Sequence, residues 1–283
     1  MATEAYKSYT KITSKHRLLD LKLGEVWAYR DLIVLFTKRS FSVSFKQTIL
    51  GPLWLFINPL LSSLMYMLVF GNIAKLGTDG LPQMLFYLSG NALWGYFSAC
   101  VTKNASTFME NAPLFGKVYF PRLVLPISNI LATAIRFFIQ MIMVVALLVY
   151  YVILGVVHVR PVVILLLPAI LIWLGLLGLG TGIIISSLTT KYRDLGVLVS
   201  FGIQLWMYGT PVVYPLSRVE GTLRILVLLN PATMPMELYR WALLGVGTPV
   251  AWSIVLSLCV TAFVAFCGLV LFNKVERNFM DTV

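Results

Sequence analysis

Six long stretches without an acidic or basic side chain, broken once, set the limits on how this chain can fold. They cover positions 49–70, 84–101, 123–157, 162–188, 195–214 and 249–273, and the break is Arg136 in the third. A helix of about 20 residues crosses the roughly 30 Å of bilayer hydrocarbon, so uncharged apolar runs of about 18 or more read as spans. A membrane barrel would show alternating segments of about ten residues instead. Composition agrees. Of 283 residues, 59% are hydrophobic and 12% charged, against roughly 25% charged in a soluble domain. The expected fold is an all-α integral membrane protein with six transmembrane helices. Residues 1–48 form a cytoplasmic N-terminal segment with an interface helix, 49–273 the transmembrane domain, and 274–283 a cytoplasmic tail.

Six spans place both termini on one side, and basic residues say which. Sixteen Lys and Arg fall before span one, in loops two and four and in the tail; five fall on the other face. Positive charge marks the cytoplasmic side, so both termini are expected there. The net charge of +11 is then a topology signal. Anionic headgroups account for the basic N-terminus, and no nucleic-acid partner is needed. Residues 1–22 are polar and basic, without the apolar core of a secretory signal. Cys100, Cys259 and Cys267 show no metal-like spacing and read as small apolar residues in helix interfaces.

The segments between spans carry the functional expectations. Residues 23–39 read as an interface helix, with Leu23, Val26, Trp27, Ile33 and Val34 on one face and Arg30 among them. This helix is either an anchor before the first span or a surface for a cytoplasmic partner. Loop two holds Glu110, Leu114, Phe115 and Lys117. Its apolar residues need something to pack on, which is either a soluble partner or this chain itself. Loop four is a tight charged turn ending Lys191-Tyr192-Arg193-Asp194. Segment 215–248 contains two short apolar stretches broken by Asn230-Pro231 and Pro235. Such segments are too short to span and fit a pair of re-entrant helices between spans five and six.

Arg136 falls near the cytoplasmic boundary of its run, placed either to snorkel or to meet an anionic headgroup. Lys38, Arg39 and Lys46 lie on the same side. Tyr87, Trp94 and Tyr96 in span two, with Trp206 and Tyr208 in span five, are candidates to stack on sugar rings along a path; belt or packing roles compete. Gly178 and Gly182 have the spacing that permits close helix approach. No G-x-x-x-x-G-K-[ST] loop is found, because position 111 is Asn where Gly116-Lys117 would need an upstream glycine. No paired carboxylates sit in a span. Energy for active transport would have to come from another subunit.

Five segments carry a family resemblance. They are Gly51-Pro52-Leu53-Trp54, Lys117-Val118-Tyr119-Phe120-Pro121-Arg122, Lys191-Tyr192-Arg193-Asp194-Leu195, Thr210-Pro211-Val212-Val213-Tyr214-Pro215, and Asn230-Pro231 followed by Glu237-Leu238-Tyr239-Arg240. In that order and spacing the chain resembles the membrane subunit of type-2 permease ABC exporters, in the polysaccharide-export branch. The resemblance implies a homodimer enclosing a channel in the bacterial inner membrane. It implies two copies of a cytoplasmic ATP-binding subunit, holding ATP and Mg, that dock on the interface helix (Trp27, Arg30) and on loops two and four. This chain itself holds no cofactor in that scheme. The cargo would be a lipid-linked polysaccharide of O-antigen, teichoic acid or capsule type. A permease for a drug or simple lipid is the alternative, with an aliphatic channel wall. A membrane-embedded enzyme or scaffold is a third reading and would need clustered polar residues at one depth.

Overall fold

The computed structural model describes residues 23–43, 46, 49–115, 120–189 and 195–282. Among them every regular element is helical. Two helices precede the spans, α1 (Leu23–Ala28) and α2 (Arg30–Val43). A 3-10 turn, Gly51–Leu53, leads into α3 (Trp54–Tyr66), which continues as a π-helical segment, Met67–Ile73. Then follow α4 (Gln83–Ala105), α5 (Thr107–Phe115), α6 (Val124–Ile153), α7 (Val163–Thr189) and α8 (Leu195–Tyr208). Two short helices, α9 (Gly221–Leu229) and α10 (Thr233–Leu243), precede the final α11 (Ala251–Thr282).

Among the described residues, four helical stretches are long and apolar enough to cross a bilayer: Gly51–Ile73, Val124–Ile153, Val163–Thr189 and Ala251–Phe272. Helix α4 has 23 residues, about 34 Å at ~1.5 Å each, but Gln, Ser, Asn, Thr and Gly dilute its hydropathy. Helix α8 is apolar but has only 14 residues. It stops at Tyr208, short of the expected 214, because Gly209-Thr210-Pro211 breaks it.

The bundle is built around α4, whose residues are mostly buried between α3, α6 and α7. Glycines on α7 explain how the backbones come so close. A Cβ on Gly178 would lie 2.7 Å from the Cys100 Cβ, and one on Gly175 would lie 2.8 Å from the Tyr96 hydroxyl. Gly180 faces the other way, 2.7 Å from the Ala265 amide nitrogen of α11. Helix association in a bilayer depends on such close packing, since lipid tails are as apolar as leucine.

Helix α2 runs beside α6. Ser128 Oγ donates to the Ile33 carbonyl at 3.3 Å, and Thr37 Oγ1 donates to the Ser128 carbonyl at 3.4 Å. The end of the bundle carrying α2 is called the near end, and that carrying α9 and α10 the far end. On the interface helix, Val26 and Ile33 are buried as expected, whereas Trp27 and Val34 point outward.

Candidate substrate path and partner surface

One side of α4 is left uncovered. Asn91, Gly95, Ser98 and Thr102 recur at helical spacing, and Gly95 and Thr102 are exposed while their neighbours Trp94, Tyr96, Phe97 and Val101 are buried. At the far end this side is covered by α3, where the Asn91 amide donates to the Pro59 carbonyl at 3.3 Å and to Ser63 Oγ at 3.4 Å. There α3 also meets α8, with the Tyr66 hydroxyl 3.4 Å from Met207 Sδ and the rings of Phe70 and Tyr208 6.3 Å apart. Toward the near end the cover is gone, and a Cβ on Gly95 would meet nothing within 4 Å. The result is a groove with α4 as its floor and α3 and α8 as its walls.

The walls repeat the polar character of the floor. Asn58 and Ser62 stand two turns and one turn below Tyr66 on the face of α3 that meets α8. Gln204 and Ser200 stand one and two turns below Tyr208 on α8, and all three are exposed. Lipid-facing positions do not favour such side chains. The hydroxyls of Ser62, Thr102 and Ser200 donate to carbonyls one turn back, at 2.9, 2.8 and 3.5 Å. Their lone pairs stay available to accept from a passing hydroxyl.

Most of the aromatic residues expected on the path are buried. Tyr87, Trp94 and Tyr96 are 0%, 6% and 3% exposed, in the core of the bundle. The Tyr96 hydroxyl donates to the Leu171 carbonyl at 3.0 Å, and its ring packs on Phe137. Trp94 packs on Phe97. Trp206 is half-buried and donates from Nε1 to Asn230 Oδ1 at 2.9 Å. Tyr208 alone of the five stands exposed at the groove. Aromatic density showed where the core is, not which way each ring points.

At the far end, segment 215–248 forms two short helices where the broken apolar stretches lie. The unexpected feature is Arg240, 1% exposed. It donates to the Pro211 carbonyl and, at 2.7 Å, to the Val212 carbonyl. Its guanidinium also sits 3.6 Å from Glu237 and 4.0 Å over the Phe86 ring. Read from sequence, an arginine in an outer loop is a surface cation. The signal available was Glu237 three residues earlier, on the same helical face among apolar neighbours.

At the near end, Arg136 donates from Nη2 to the Ser40 carbonyl at 3.4 Å, beside exposed Lys38 and Arg39 of the same α2 turn. Lys46 is exposed just beyond α2. Three of the four expected headgroup cations are thus brought together by the α2–α6 contact. Of the expected partner-contact residues, Trp27 is 71% exposed and Arg30 and Glu110 are exposed. Leu114 folds back, half-buried, onto the cluster of Val26, Ile33 and Phe120, so for this residue the chain itself supplies the packing. Phe115 ends α5. Its side chain, with Lys117, Tyr192, Arg193 and Asp194, lies outside the described residues. The junction of α4 and α5 is pinned to α6 by the Asn129 amide, which donates to the Lys103 carbonyl at 3.3 Å and to Thr107 Oγ1 at 3.1 Å.

A bundle of long apolar helices with a polar groove along one of them is the architecture expected of a membrane transport protein. The model of the ABC-2 type transporter family matches residues 31–244, and the chain belongs to that family. It is therefore a transporter membrane subunit rather than an enzyme, and the family works with an ATP-binding partner. The chain is 28% identical over 254 residues to "O-antigen export system permease protein RfbA" of Klebsiella pneumoniae, covering 89% of this chain and 94% of that one. It is 26% identical over 261 residues to the protein of the same name from Myxococcus xanthus, covering 92% and 98%.

Proposed function

We propose that this chain is the membrane subunit of an ATP-driven exporter that moves a lipid-linked polysaccharide of the O-antigen type across the bacterial inner membrane. Near full-length similarity to permeases named for O-antigen export carries this reading. The groove adds support of its own. A hydrated polymer needs amide and hydroxyl groups along its way, which Asn58, Ser62, Ser98, Thr102, Ser200 and Gln204 offer. A permease for a drug or simple lipid would want an aliphatic wall there.

In this reading α3, α4, α6, α7, α8 and α11 are the six spans, and α9 and α10 re-enter from the periplasmic side. The near end is cytoplasmic, as the bias of basic residues favours. Two copies face each other so that their grooves make one channel. A pair of ATP-binding subunits, holding ATP and Mg, docks at α1, α2 and α5.

The test is reconstitution in proteoliposomes with the ATP-binding partner. Lipid-linked polysaccharide offered on the cytoplasmic face should become inaccessible to an added glycosidase when ATP is supplied. Movement of a simple lipid with no protection of the polymer would reverse the assignment.

A further inference from the structure

Helices α6 and α7 are joined at the far end by residues 154–162. Both helices are long and apolar enough to cross a bilayer, so the short loop between them stands in a headgroup layer. Its flanks are apolar and open. Ile153, Ile164 and Leu165 are 79%, 81% and 76% exposed. The loop carries no lysine and a single arginine, Arg160.

Arg160 is held in one place. Its amide donates to the Ala242 carbonyl of α10 at 3.0 Å, and its guanidinium lies 4.0 Å over the Trp241 ring. The loop is pressed against the end of α10, where a Cβ on Gly245, at φ +74°, would lie 2.6 Å from the His158 carbonyl oxygen. Stacking covers one face of the half-exposed guanidinium. Its N–H donors lie in the plane, around the edge, and stay able to reach an anion. Among the described residues no carboxylate takes them. Glu237, one turn before Trp241, turns inward instead, 3.6 Å from Arg240 and accepting from the Thr248 amide at 3.1 Å. Tryptophan and arginine both suit the membrane interface, and a cation left unmatched there attracts anionic headgroups.

We infer that Arg160, stacked on Trp241, binds the phosphate of an anionic phospholipid in the far-end leaflet, with the lipid's acyl chains against Ile153, Ile164 and Leu165. A guanidinium edge matches two phosphate oxygens at once. A headgroup of net negative charge supplies what the protein leaves unmatched, whereas a choline headgroup brings its own cation. Free phosphate shares the charge, but only a lipid also covers the apolar flanks. Neither the loop nor Trp241 belongs to the groove, so the site does not depend on what the groove carries.

The experiment uses the complete transporter in vesicles of phosphatidylcholine with a minor share of phosphatidylglycerol that bears a photoactivatable diazirine at the top of one acyl chain. Labelled residues are read by peptide mass spectrometry. Residues 153–165 should be labelled in the unmodified protein. Added plain phosphatidylglycerol should lower that labelling several-fold, and added phosphatidylcholine or inorganic phosphate should not. Arg160→Ala should lower it several-fold as well, with labelling of the lipid-facing side of α11 and the unfolding temperature unchanged. Arg160→Lys keeps the charge but loses the fork and the stack, and should retain part of the labelling. Equal labelling in Arg160→Ala overturns the site. Equal competition by phosphatidylcholine also overturns it, since the lipid there would then be held by its chains alone. Competition by inorganic phosphate would make this a site for a free anion and overturn the lipid. These competition arms use the unmodified protein and stand even where a variant folds poorly.

Discussion

Gly182 of α7 lies so close to Asn104 of α4 that an added Cβ would come within 2.6 Å of the Asn104 Cβ and 2.8 Å of the Val101 carbonyl oxygen. The carbonyl is helix backbone and cannot swing aside. Gly182→Val should therefore push the two helices apart, at a cost of about 1–3 kcal/mol, visible as a lower unfolding temperature in detergent. Gly196→Ala, where a Cβ meets nothing within 4 Å, should leave that temperature unchanged or slightly raised, since alanine favours helix by about 1 kcal/mol over glycine.

The buried aromatics and the groove separate stability from passage. Tyr96→Phe removes the hydroxyl's hydrogen bond to the Leu171 carbonyl and should cost about 1 kcal/mol, with export per folded transporter unchanged. Ser98→Leu with Thr102→Leu should do the reverse. The folded amount and basal ATP hydrolysis should stay near wild type, while polymer export falls to background. Equal export by the leucine pair, measured per folded transporter, would remove α4 from the path.

Much of this architecture was legible in advance. The uncharged runs located the long helices, and Asn230-Pro231 with Pro235 located α9 and α10, because length and proline act locally. The spacing of Gly178 and Gly182 correctly foretold a close helix approach. Facing direction was harder to see. In a chain this apolar every face of α4 looks alike, so Tyr87, Trp94 and Tyr96 read as well for a path as for a core. The better signal was the small polar series at positions 91, 95, 98 and 102, which a lipid-facing stripe would not favour. The burial of Arg240 depends on carbonyls from a distant turn, at 211 and 212, that no local pattern reveals.

Coupling to the ATP-binding partner should run through the exposed residues at the near end. Trp27→Asp and Glu110→Lys alter side chains exposed outside the helical core, so the membrane fold should survive. Co-purification of the ATP-binding subunit should drop sharply for each. Leu114→Asp buries a charge against Val26 and Ile33 and should lower stability of the α2–α5 region as well. If Trp27→Asp and Glu110→Lys both hold the partner at wild-type levels, the docking surface is not on α1 and α5.

Loading of the anionic lipid carrier should depend on Arg136 more than on its exposed neighbours. Helix α6 has 30 residues, about 45 Å at ~1.5 Å each, longer than the roughly 30 Å of hydrocarbon. In the proposed orientation its first turns stand in the headgroup zone beside α2, and Arg136 falls where hydrocarbon begins. There the guanidinium is half-buried and reaches the Ser40 carbonyl, so water screens it less than it screens Lys38, Arg39 and Lys46. A guanidinium offers a fork of donors to a phosphate that a lysine cannot reproduce. Arg136→Ala should abolish stimulation of ATP hydrolysis by the lipid-linked substrate while leaving basal hydrolysis intact, and Arg136→Lys should retain part of it. Arg39→Ala should weaken stimulation mainly at low salt, because charges in solvent are screened beyond about 8 Å at physiological ionic strength. Titrating substrate at two salt concentrations separates the roles. Wild-type stimulation by Arg136→Ala at both would leave Arg136 only the task of holding the end of α2.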